Sequence, residues 1–89
     1  MFTSFGTETT KRFTEDGIRE ALNAFDEGGD FGTILRAKGI VEATDGRWIH
    51  FDYVPDGIDI RYGTAGIIGR LCVIGAKIDE NKIKEIFGL

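Results

Sequence analysis

The chain has 89 residues, a length at which about 60–65% of the unfolded surface becomes buried, so one modest core in a single domain over 1–89 is expected. With 42% hydrophobic and 29% charged residues it reads as an ordinary globular protein, and no apolar run approaches the ~20 residues of a membrane helix. A net charge of −4 speaks against nucleic acid as a partner, and one cysteine with no signal-like start points to the cytoplasm and excludes an internal disulfide framework.

Phe2 to Thr9 alternates weakly, is rich in Thr and is read as a first strand. Thr14 then suits a helix N-cap, with Glu15 and Asp16 where the helix dipole favours negative charge. Phe13 and Ile18 fit a hydrophobic staple around that cap. Ile18, Ala21, Leu22 and Phe25 follow the i, i+3, i+4, i+7 spacing of a buried stripe, and Gly28-Gly29 is expected to end the helix.

A β-hairpin dominates the middle of the chain. Thr33 to Thr44 forms its first strand, Asp45-Gly46 a two-residue turn and Arg47 to Val54 the return strand. Alternation puts Ile49, Phe51 and Tyr53 on one face of the return strand and Trp48, His50 and Asp52 on the other. On the first strand Leu35, Ala37, Gly39 and Val41 oppose Ile34, Arg36, Lys38 and Ile40. One face is thus apolar, while the other carries Arg36, Lys38, His50 and Asp52.

Pro55-Asp56-Gly57 marks another reversal, followed by a short strand from Ile58 to Tyr62. Gly63 to Gly69 is a glycine-spaced, flexible connection. Arg70 to Ile74 reads as the last strand. Asp79 caps a final helix whose buried side carries Ile83, Ile86 and Phe87, with Gly88 ending it. The expectation is an α+β fold in the order β-α-β-β-β-β-α. A four- to five-stranded, mainly antiparallel sheet would have both helices packed on one face.

Catalytic signatures are missing from these residues: no G-x-x-x-x-G-K-[ST], H-E-x-x-H, C-x-x-C or G-x-S-x-G occurs. His50 and Cys72 cannot complete a zinc site without carboxylates or a second chain. Cys72, within Leu-Cys-Val-Ile, reads as a small hydrophobe, and His50 as a surface histidine able to pair with Asp52. The Gly63, Gly66 and Gly69 period leads into a strand rather than a helix N-terminus, so it does not suit phosphate. Arg36 and Lys38, with Arg61 and Arg70 nearby, make either a solvated face paired to Asp52 and Asp59 or a docking surface; Trp48 beside them favours docking.

Gly32-Thr-Ile-Leu-Arg36-Ala-Lys38-Gly39-Ile-Val, a strand bearing Trp48, and Leu71-Cys-Val-Ile-Gly75-Ala-Lys-Ile-Asp79 together resemble the C-terminal domain of the CobW family, from about Thr3 to Phe87. The resemblance implies a module that follows a P-loop GTPase domain related to those of UreG and HypB, in proteins implicated in cobalt and zinc delivery or cobalamin biosynthesis. None of the GTPase motifs of that other domain occurs in these residues, so no catalysis and no cofactor is expected. The expected partners are a P-loop GTPase domain, a client metalloprotein or a second copy. Arg36, Lys38, Trp48 and His50 are the expected docking residues. The competing reading is a stand-alone small-ligand or metal-binding α+β protein. An acylphosphatase-like enzyme fits poorly, because the arginines lie on strands rather than in a phosphate-cradling loop.

Overall fold

The computed structural model describes residues 2–27 and 31–89. Along the chain run β1 (Thr3–Thr9), α1 (Glu15–Asp26), β2 (Thr33–Glu42), β3 (Trp48–Val54), β4 (Gly57–Gly63), β5 (Gly69–Ala76) and α2 (Glu80–Ile86). This is the expected order, with five strands. The sheet is antiparallel throughout in the spatial order β1-β5-β2-β3-β4, so the last strand lies between the first and the second. Both helices lie on one face. No helix of the described residues is long and apolar enough to cross a membrane.

Local chemistry explains each helix end. Thr14 is extended, and its hydroxyl accepts the Gly17 N–H at 3.0 Å, satisfying a donor that has no partner within the helix. Asp79 does the same for Lys82 at 3.2 Å. Past α2, Gly88 takes a left-handed conformation with φ 73°. The Lys11 ammonium donates to the Phe87 and Gly88 carbonyls at 3.0 and 3.3 Å, placing a cation at the negative end of the helix dipole. In α1, Ile18, Ala21, Leu22 and Phe25 are all buried, and Phe13 before the cap is buried with them. Glu27 caps that helix in a right-handed conformation. The expected Gly28-Gly29 stop lies outside the described residues.

The hairpin closes differently from the expected two-residue turn. The Ala43 N–H donates to the Arg47 carbonyl at 2.7 Å, and the Gly46 N–H donates to the Ala43 carbonyl at 3.0 Å. Thr44, Asp45 and Gly46 therefore form the loop, with Gly46 alone of the three at positive φ (90°), as in a type I turn closed by a glycine bulge. The difference decides the pairing. A two-residue turn would oppose Ile49 to Glu42, whereas the longer loop opposes Ile49 to Val41, Phe51 to Gly39 and Tyr53 to Ala37. Apolar side chains then meet on one face. Asp45 fixes the loop by accepting the Arg47 N–H at 3.0 Å and its guanidinium Nε at 2.7 Å, which holds the Asp45 carboxyl below the usual carboxylate range.

A second departure lies at the start of β2. The ladder to β5 slips between Ile34 and Arg36, the mark of a β-bulge. The extra residue resets the alternation, so Ile34 enters the core and Leu35, expected there, is only half-buried.

The core lies between sheet and helices. Phe25 is its hub: its ring meets Phe31, Tyr53 and Phe87 edge-on at 5.2, 5.6 and 6.1 Å. Phe87 in turn stacks on Phe51 at 6.0 Å. Tyr53 keeps its ring inside while its hydroxyl donates to Asp26 at 2.7 Å. Burial first, then that bond, pushes the Tyr53 hydroxyl up to about 12.

Candidate functional site

The face of the sheet turned away from the helices carries the polar half of every strand. Register aligns its side chains in rows across all five strands. One row runs Gly6, Cys72, Lys38, Asp52 and Asp59; the next runs Glu8, Arg70, Ile40, His50 and Arg61. Alternation splits the Arg36-Ala37-Lys38-Gly39 segment between the two sides. Ala37 is fully buried against the core, and Gly39 backs onto the Phe51 ring, while Arg36 and Lys38 point outward.

The four residues singled out from the sequence share this face. Arg36 and Lys38 are exposed, and Trp48 and His50 are half-buried. Trp48 lies away from the helices, at the end where the chain passes from β4 to β5. Here the glycine spacing has a steric cause. A Cβ on Gly66 would come 3.2 Å from the Trp48 ring, one on Gly63 2.7 Å from His50 Nε2, and one on Gly69 2.7 Å from the Thr9 carbonyl. His50 Nε2 donates to the Thr64 carbonyl at 2.9 Å, a partner that can only accept. The His50–Asp52 pair weighed from the sequence is therefore replaced by two other attachments. Asp52 accepts from Arg61 at 3.3 Å and forms an ion pair with Arg36 at 3.5 Å.

Two further ion pairs cross this face. Arg61 also reaches Asp59, and Arg70 reaches Glu8 at 3.3 Å across β1 and β5. Among the described residues Lys38 makes no ion pair. Leu71 and Val73 turn inward, which leaves Cys72, read from the sequence as a small hydrophobe, half-buried on the outer face between Gly6 and Lys38. Together these residues surround a shallow hollow of about 750 Å³, floored by Gly6, Ile40 and Cys72. Sequence reasoning missed the floor because nothing local says that β5 lies between β1 and β2. Among the described residues no group of three or more His, Cys, Asp or Glu could hold a metal ion.

Residues 2–88 match the family model described as the cobalamin synthesis protein cobW C-terminal domain. Among solved structures the fold is similar to a Zn(II)-bound triple mutant of YjiA GTPase, with TM-score 0.77 and 17% identity over 97% of this chain. It is similar also to Zn(II)-bound YjiA GTPase from E. coli, with TM-score 0.72 and 19% identity over 97% of this chain. The chain spans 28% of the length of each. No curated protein matches the sequence.

Proposed function

The chain belongs to the family of cobW C-terminal domains, and from that premise we propose that residues 1–89 act as one non-catalytic docking module in the cytoplasm. Its partner is a P-loop GTPase domain or a client metalloprotein, in the trafficking of cobalt or zinc or in cobalamin biosynthesis. The observation that carries this reading is the uncovered sheet face, which gathers Arg36, Lys38, Trp48 and His50 on one side of the molecule. Arg and Trp are the side chains most often dominant in protein interfaces, and half-buried Trp48 is already held in place by the connection across it. The similarity to two GTPases over 28% of their length supports a GTPase domain as the first partner to try.

Calorimetric titration of the chain with isolated P-loop GTPase domains of cobW-type proteins, alongside GTP turnover of each mixture, tests the proposal. Binding that weakens in Trp48→Ala is the expected result. A set of domains that neither binds nor changes turnover refutes it.

A further inference from the structure

The hollow on the outer sheet face has a chemical character of its own. Its charged lining consists of Arg36, Lys38, Arg61 and Arg70 against Glu8 and Asp52 only, in a chain whose net charge is −4. Glu8 is already engaged by Arg70 at 3.3 Å, and Asp52 by Arg36 and Arg61 at 3.5 and 3.3 Å. Lys38 makes no ion pair among the described residues, and it stands beside Cys72, which stands beside Gly6. The space exists because these neighbours are small. A Cβ on Gly6 would find its nearest atom, the Leu71 carbonyl oxygen, only at 3.8 Å.

We propose that this hollow receives an acidic segment of the partner protein, one whose Asp or Glu side chain reaches Lys38, with Arg36 and Arg70 closing on its flanks. This rests on the docking reading above and names the chemistry of the partner. Exposed ion pairs are worth less than about 1 kcal/mol each, so the arginines exchange their present partners for a new carboxylate at little cost. The basic ring lies within about one Debye length of an arriving segment at physiological salt, so it also steers the encounter. The rest of this acidic surface repels the same segment, which confines it to the hollow.

The experiment titrates the ¹⁵N-labelled chain at low salt with a ten-residue peptide alternating Glu and Ala, with the Gln version as control. Support consists of amide shifts gathered at Gly6, Lys38, Ile40 and Cys72, and none with the Gln peptide. Lys38→Glu removes an attraction and adds a repulsion, which by exposed-pair energies weakens binding about tenfold. Gly6→Val fills the floor without altering any charge and also weakens it. Thermal melts of both variants separate lost binding from lost structure, and Lys38→Gln is the milder substitute if Lys38→Glu unfolds. The proposal is overturned by shifts elsewhere or none, by displacement of the peptide by an equal concentration of tripolyphosphate, or by a salt-sensitive dimer of the chain that Lys38→Glu abolishes. A GTPase domain that binds the wild type and Lys38→Glu alike overturns the hollow and leaves docking standing. A peptide that binds as described while no GTPase domain does supports the hollow and removes the GTPase partner.

Discussion

Gly39→Ala is the sharpest test of how the Arg36-Ala37-Lys38-Gly39 segment is built. The added Cβ would lie 2.5 and 2.6 Å from the Phe51 ring and 2.8 Å from the Arg70 carbonyl oxygen. Neither neighbour can retreat easily. Phe51 is 1% exposed and stacks on Phe87, and the Arg70 carbonyl belongs to the β5 backbone. Overpacking of this kind costs about 1–3 kcal/mol, and disturbing the aromatic stack adds about 0.5–1.5 kcal/mol. Against that, replacing glycine stabilises by about 0.4–1 kcal/mol through the unfolded chain. The net is a loss of about 2 kcal/mol, or roughly 8–16 °C in melting temperature for a domain of this size. Urea unfolding followed by Trp48 fluorescence measures it. Gly6→Ala is the internal control, since its Cβ would make only an ordinary contact, 3.8 Å from the Leu71 carbonyl oxygen. In the double variant Gly39→Ala, Phe51→Leu, the smaller side chain relieves the clash, so the two costs should fall short of their sum by about 1 kcal/mol. A Gly39→Ala protein as stable as wild type, or strictly additive costs, would refute the packing account and leave that glycine for a role at the surface.

Tyr53→Phe removes the bond to Asp26 and should cost about 1–3 kcal/mol near neutral pH, read by urea unfolding. Below pH 10 the Tyr53 hydroxyl holds its proton folded and unfolded, so its contribution is complete. Above that only the unfolded chain ionises, and the contribution is lost by about 1.4 kcal/mol per pH unit until the folded hydroxyl titrates at about 12. The wild-type minus Tyr53→Phe difference should therefore shrink over that window, and a constant difference contradicts it. Lys11→Ala should lower stability by about 1 kcal/mol and speed amide exchange in α2 more than in α1, because it uncaps the Phe87 and Gly88 carbonyls. His50→Ala frees the Thr64 carbonyl and loosens the connection over Trp48, so the emission of this single tryptophan should move to the red; an unchanged spectrum counts against the role given to His50.

How far the sequence could be read depended on the range of each interaction. The α1 cap and stripe, the α2 cap and the outward grouping of Arg36, Lys38, His50 and Asp52 were legible because they follow from neighbours within about one helical turn or from strict alternation. The hairpin loop and the bulge at Leu35 were not. A single extra residue leaves composition unchanged, and only the ladder to β5 and β3 shows which side chains it turns inward.

The amino-acid order by itself determined the element sequence, the polar face of β2 and β3 and the kinship of residues 2–88. Tertiary structure alone decided that β5 slides between β1 and β2, which brings Gly6 and Cys72 beside Lys38 and opens the hollow. The physical reason is that strand order is settled by burying one shared apolar face under two helices, a sum over the whole chain that no local stretch encodes.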